Sequence, residues 1–132
     1  MELQVGVKIL LRNSEGRYLL VRRSSEKYPE VGAKWYIVGG RIEPGTGLLE
    51  NLRREVKEET GLGIEDVKLA AAQDILRVPG RHVVRLTFIG KTNGDPKLNS
   101  ENTEFKWLSR EELETTSNLD IYLKELLEKN TL

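Results

Sequence analysis

One stretch constrains this chain more than any other. Gly39-Gly40-Arg41-Ile42-Glu43-Pro44-Gly45 leads, after Thr46 and Gly47, into a run that closes on Arg54-Glu55-Val56-Lys57-Glu58-Glu59-Thr60-Gly61-Leu62. Pro44, Gly45 and Gly47 mark a loop, and from Leu48 the pattern is helical until Gly61 and Gly63 stop it. Leu48, Leu49, Leu52 and Val56 recur at helical spacing, an apolar arc of roughly 100°. Glu55, Glu58 and Glu59 stand at i, i+3 and i+4, so they project from one face. Glu59 falls inside the apolar arc, with Glu55 and Glu58 along its edge. A merely solvated helix would place its acids opposite that arc. Three like charges beside the core repel one another, and desolvation sharpens the repulsion. A cation should offset them, and oxygen-only ligands favour Mg²⁺ or Mn²⁺. The competing reading is a solvated acidic face, paired at i,i+4 through residues such as Glu50 and Arg54.

The stretch resembles the Nudix box, Gly-x5-Glu-x7-Arg-Glu-U-x-Glu-Glu-x-Gly-U, with U aliphatic. Gly40, Arg54, Glu55, Val56, Glu58, Glu59, Gly61 and Leu62 all fall in register. Two positions depart: Thr46 stands where the family has its first Glu, and Val38 replaces the usual Pro before the Gly-Gly pair. In that family the first Glu mainly supports loop and helix, and the later Glu cluster holds the metal. The resemblance therefore implies an intact ligand set of Glu55, Glu58 and Glu59, which a carbonyl of Gly39 would join. Thr46 bears on loop rigidity and rate more than on reaction type; alternatively its hydroxyl caps the helix.

A chain of 132 residues is one domain by the usual prior and can bury a real core. With Lys+Arg 21 and Asp+Glu 21 the net charge is zero, so there is no electrostatic footprint for bulk nucleic acid or an anionic membrane. Phosphate binding would have to come from local arginine and metal. No cysteine means no disulfide framework and no thiolate chemistry. No apolar run reaches membrane-spanning length and no signal-peptide core opens the chain, so a cytoplasmic protein is the expectation. Oligomeric state stays open, a homodimer included. A charged fraction of 32% with no Cys and one Met hints at a thermophile.

Elsewhere the pattern alternates strands and helices. Residues 3–11 are apolar at every second position, 13–16 are a turn, and 18–21 return as the second strand of a hairpin closed by Arg22 and Arg23. Residues 24–34 read as a loop and 35–38 as a short strand feeding the two glycines. Residues 67–78 have β character, Pro79-Gly80 is a turn, and 82–91 return as a strand. Residues 97–104 read as a loop, 105–108 as a last short strand, and Ser109 with Glu112 as a capping box. A second helical pattern takes in Ile121, Leu123, Leu126 and Leu127. This order fits a mixed sheet with helices on its faces. The Nudix fold is such an α/β/α sandwich, and the resemblance covers nearly the whole chain.

What the resemblance implies chemically is metal-assisted hydrolysis of a diphosphate bond. Glu55, Glu58, Glu101 and Arg54 are the residues expected to carry it. Arg54 points away from the Glu cluster by about 100° around the helix, which suits a support for the loop backbone. A general base should be a carboxylate on a movable loop. Glu101, six residues before Trp107, matches an acid that reaches the metal site in several Nudix enzymes and would activate water or join the metal; Glu104 is the runner-up. Leu11-Arg12-Asn13, Arg22-Arg23 and Pro79-Gly80-Arg81-His82 look like places in MutT-type enzymes, which act on oxidised purine nucleotides. Arg23 and Arg81 are therefore expected to meet phosphate or base oxygens. Asn118 falls near an Asn that reads the purine in that group; its alternative is the N-cap of the final helix. Trp35 or Tyr36 offers a face on which a base stacks, with one of the two turned into the core. His82 reads as a packed strand residue. The expected substrate is a purine nucleoside triphosphate, oxidised dGTP foremost. The alternatives are a nucleotide-sugar such as ADP-ribose or GDP-mannose, and a non-catalytic Nudix-like sensing module.

Overall fold

The computed structural model describes residues 1–23, 34–100 and 102–132, the side chain of Thr103 excepted. Strict alternation in the first segment produces β1 (Glu2–Arg12), which buries Val7, Ile9 and Leu11 on one face and Leu10 on the other. Asn13 builds the turn that follows: its backbone exchanges hydrogen bonds with Arg17 and Gly16, and its side-chain oxygen accepts from the Glu15 and Arg17 amides. The chain returns as β2 (Tyr18–Arg23).

The next segment differs from expectation. Residues 35–38 are not one strand. β3 (Trp35–Tyr36) pairs with β2, whereas β4 (Val38–Arg41) pairs with β1, so the chain changes partners at Ile37. Gly39 and Gly40 lie within β4, opposite Lys8 and Val7. β5 (Glu65–Ile75) and β6 (Arg81–Lys91) form a long hairpin, and β6 runs parallel to β1 along its whole length. β7 (Asn102–Leu108) pairs with β2 and starts earlier than the polar composition of residues 97–104 suggested, because Asn102 pairs with Arg23 across a register shift. The strand path is β3-β2-β1-β6-β5, with β4 beside β1 and β7 beside β2.

Helices cover both faces. α1 (Leu48–Thr60) packs Leu52 and Val56 against Val7, Ile9, Leu11, Val21 and Phe88. α2 (Arg110–Glu114) and α3 (Ile121–Glu128) pack Leu113, Leu123 and Leu127 against Leu10, Leu20 and Ile37. Each fully buried aliphatic side chain contributes about 1.5–3 kcal/mol. This is the mixed, two-faced α/β/α arrangement expected. Leu48 and Leu49 are exceptions: both are exposed, and the buried face of α1 is Asn51, Leu52, Val56, Glu59 and Thr60. The two helix caps offered for Thr46 and Asn118 also fall elsewhere. Gly47 opens α1 with no side-chain cap, and Asp120 caps α3 by accepting the Leu123 amide. The Ser109–Glu112 capping box forms as read. No helix among the described residues is long and apolar enough to cross a membrane.

Candidate active site

The glycines of β4 and the carboxylates of α1 fit against each other. Gly39 has φ +142°, and a Cβ there would lie 2.0 Å from the Val7 carbonyl oxygen, so only glycine is accommodated. Its amide donates to Glu59 Oε2 at 2.9 Å. Gly40 matters for a different reason: a Cβ would stand 2.8 Å from the Glu55 carboxyl carbon and displace that carboxylate. The missing side chain is the space the Glu55 carboxylate occupies. Glu59 is buried, as its place inside the helical arc implied; of the two edge residues Glu55 is half-buried and Glu58 exposed. Among the described residues no three acidic, His or Cys side chains converge closely enough to hold an ion as they stand. Their oxygens turn instead to the donors at hand.

One of those donors is Arg54, which reaches further than its direction around the helix suggested. Its guanidinium lies 2.9 Å from Glu43 Oε1, 3.4 Å from Glu55 Oε1 and 3.9 Å from Glu58 Oε1. The long arginine stem carries the charge back across the helix surface. Burial works against that charge, but Glu43, Glu55 and Glu58 together hold it above the ordinary arginine range. Sequence reasoning missed Asn51. It is fully buried, donates to the Arg41 carbonyl, and accepts from the Glu43 amide and from Arg54. A buried polar residue on the apolar face of an amphipathic helix was the available signal. Through it, Arg54 supports the loop after β4 by side chains, not by backbone contact.

A cleft opens on the other side of β4. There β1 passes from β4 along Gly6–Ile9 to β2 at Arg12. Lys8, Arg23 and Arg85 line this space together with Gly39 and Gly40. It continues into a cavity of about 600 Å³ whose walls, among the described residues, carry seven cationic side chains, Lys8, Arg23, Lys34, Arg41, Arg77, Arg81 and Arg85, and one carboxylate, Asp120. Asp120 lies 3.0 Å from Arg85, which is buried and has two further N–H-bearing nitrogens without a hydrogen-bond partner among the described residues. Burial and the Arg85 charge pull the Lys8 ammonium down to about 8, against the opposing pull of Glu59 and Asp120. Lys8 thus feels both Glu59 of α1 and the cleft.

The expected site residues distribute as follows. Gly39 meets Glu59, Gly40 adjoins Glu55, and Arg54 lies beside Glu55 and Glu58. Arg23 and Arg81 line the same cavity. Trp35 does not line it; its ring packs against the α2–α3 core with Arg22 and Lys106 over it, at 4.7 Å and 4.2 Å. Tyr36 does line it, beneath Lys8 and Arg23. Asn118 is exposed, with φ +59°, and its carbonyl accepts the Trp35 amide. Glu104 pairs with Arg22, and His82 with Asp74. Glu101 lies outside the described residues. Its neighbour Asn102 is buried and accepts the Tyr36 hydroxyl.

A profile described as the NUDIX domain matches residues 2–129. The chain belongs to the NUDIX family. Nucleoside triphosphatase NudI of Enterobacter sp. (strain 638) is 34% identical over 113 residues, which cover 77% of this chain and 79% of the relative. The 8-oxo-dGDP phosphatase NUDT18 of Mus musculus is 30% identical over 108 residues, 78% of this chain but 31% of the relative, so the chain spans about a third of that protein. The crystal structure of the MutT protein from Methanosarcina mazei Go1 superimposes with a TM-score of 0.81 at 31% identity, covering 96% and 91% of the two chains. The MutT NUDIX hydrolase from Burkholderia pseudomallei shares the fold, with a TM-score of 0.80 at 23% identity over 97% and 98%. This NUDIX hydrolase therefore carries the later Glu cluster of its family with Thr46 at the first Glu position.

Proposed function

We propose that this NUDIX hydrolase cleaves the diphosphate bond of a purine nucleoside triphosphate, guanine type ahead of adenine, giving the monophosphate and pyrophosphate. The observation that carries this reading is the position of Gly39-Gly40, with carboxylates on one side and a strongly cationic cleft on the other. The names of NudI and NUDT18, a nucleoside triphosphatase and an 8-oxo-dGDP phosphatase, support a nucleotide substrate. The second name also favours a nucleoside diphosphate as the nearest alternative.

Glu55, Glu58 and Glu59, with the Gly39 carbonyl, would hold Mg²⁺ or Mn²⁺. They fit it as hard oxygen donors, and the absent side chain at Gly40 leaves the Glu55 carboxylate its room. When bound, the ion offsets charge on the phosphate oxygens and orients the attacking water. Lys8, Arg23 and Arg85 take the remaining phosphate charge at the inner end of the cleft. Glu101, the acid that the resemblance offers at this offset from Trp107, accepts the proton of the attacking water. Arg54 acts as a positioning residue that holds Glu43, Glu55 and Asn51 in place. Tyr36 and Tyr122 offer their faces to the base in preference to Trp35, because both line the cavity. Asn118 remains the proposed reader of the purine edge, two residues before Asp120.

The test is phosphate and pyrophosphate release, with and without Mg²⁺, from dGTP, 8-oxo-dGTP, 8-oxo-dGDP, dATP, dCTP, ADP-ribose and GDP-mannose, repeated with Asn118→Ala. We expect Mg²⁺-dependent turnover and the highest kcat/KM on a guanine nucleotide, reduced by the substitution. A clear preference for either sugar nucleotide would overturn the substrate, and no turnover of any compound would favour a non-catalytic module.

A further inference from the structure

The connection from β6 to β7 carries a reactive pair that the diphosphate chemistry does not use. It begins Thr92-Asn93-Gly94-Asp95-Pro96, and Asn93 is the only asparagine of the chain that precedes a glycine. The residues around the pair are anchored. Thr92 is buried; its amide donates to the Arg12 carbonyl and its hydroxyl to the Gly63 carbonyl. Asp95 accepts the Trp107 indole N–H, and Pro96 is buried. The Lys97 amide donates to the carbonyl of Thr60, the last residue of α1 and the one that follows Glu59.

Between these anchors Asn93 and Gly94 are both exposed. Among the described residues neither the Asn93 side-chain amide nor the Gly94 N–H has a hydrogen-bond partner, and no backbone bond closes the pair into a tight turn. Asn13 and Asn51 differ: their side-chain oxygens each accept backbone N–H groups. Gly94 has φ +90°, and a Cβ there would meet nothing nearer than Leu62 Cδ2 at 3.9 Å. Glycine is thus present for its backbone conformation and not for lack of room. Its nitrogen has no adjoining side chain to obstruct an approaching carbon.

We propose that Asn93 is a site of spontaneous covalent modification, converted in the folded protein to isoaspartate, and that the product loosens the Lys97–Thr60 tether. The Gly94 nitrogen attacks Asn93 Cγ. The N–Cγ bond forms, the Cγ–Nδ2 bond breaks, and Nδ2 leaves as ammonia with the proton that the Gly94 nitrogen gives up. Water then opens the five-membered imide, returning a proton to the Gly94 nitrogen and a hydroxyl to one carbonyl carbon. Opening at Cγ leaves ordinary aspartate. Opening at the main-chain carbonyl leaves isoaspartate, with the chain routed through Cβ and Cγ. The net change is water consumed and ammonia released, so no cofactor or oxidant enters. Isoaspartate adds one carbon to the main chain between Thr92 and Lys97, and a fixed pair of anchors has to absorb it.

The experiment ages the full-length protein in mildly alkaline buffer below its unfolding temperature, beside a sample in denaturant. Trypsin releases residues 92–97, in which Asn93 is the sole asparagine. The fragment is expected to gain the mass of an acid in place of an amide in both samples, and to accept a methyl label from protein isoaspartyl methyltransferase. Asn93→Gln, a change at an exposed side chain without partners, should lose the label. A fragment that stays an amide in the folded sample while the denatured one converts would overturn the proposal, as would a label that survives in Asn93→Gln. Hydrogen exchange then tests the tether. The Lys97 amide should exchange faster in the isoaspartate-enriched protein than in Asn93→Asp, which carries the charge without the extra carbon. Equal exchange in the two would overturn the effect on α1.

Discussion

Single residues already separate charge from shape at this site. Glu59 is buried and accepts the Gly39 amide, a bond that a glutamine carbonyl can also accept. Glu59→Gln should therefore fold normally and lose Mn²⁺ affinity, measured by calorimetry; an unchanged affinity would remove Glu59 from the ligand set. Lys8 gives a pH signature. In the metal-free protein its ammonium titrates at about 8, because burial and Arg85 outweigh the pull of Glu59 and Asp120. Phosphate binding should weaken as pH rises through about 8, and Lys8→Arg should flatten that limb. The same shift has a sign for stability. Between pH 8 and 10.5 the unfolded chain holds the proton that the folded chain has released, so stability rises with pH across that window. Denaturant midpoints at pH 8 and 10 should show this for the wild type, and the rise should be smaller in Lys8→Arg.

At the scale of elements, α1 and β4 are tied by groups that a hydrophobic pattern does not display. Leu48 and Leu49 belong to the helical periodicity, yet both are exposed, because α1 buries its middle and last turns and leaves its first outside. Asn51 takes the inward position instead and clips the residues after β4 to the helix through Arg41 and Glu43. Its removal would leave the Glu43 amide and the Arg41 carbonyl, both in part-buried hydrogen bonds, without these partners. Asn51→Ala should cost about 1–3 kcal/mol in chemical denaturation and lower kcat with little change in the number of metal ions bound. Full activity in that variant would show that the loop after β4 holds its shape without the clip.

For the whole molecule, the parallel pairing of β1 with β6 and the change of partner from β4 to β2 assemble the cleft. They bring Lys8, Arg23, Arg41, Arg81 and Arg85 around one space although the chain is electrically neutral. β7 enters this arrangement through Asn102, which binds Tyr36 beside the cleft. Glu101→Gln should lower kcat by about 10²-fold or more, the loss expected for a general base. Glu104→Gln should change it little, since Glu104 is engaged with Arg22. If Glu104→Gln produces the large loss, the base is three residues further on.

The α1 carboxylates, the alternating strands, the Ser109–Glu112 box and the two-faced α/β/α arrangement were legible along the chain. Each is a local regularity of spacing, and helix or strand geometry converts spacing directly into direction. The family followed from the same stretch, because its residues are contiguous. Three things were decided only in three dimensions: which aromatic of Trp35-Tyr36 meets the cleft, where Arg54 points, and how many cations share one cavity. Tyr36 lines the cleft because Ile37 carries the chain from one partner strand to another. The cationic cavity exists because strands far apart in sequence lie side by side, and a sum of charges over the chain carries no record of which of them become neighbours.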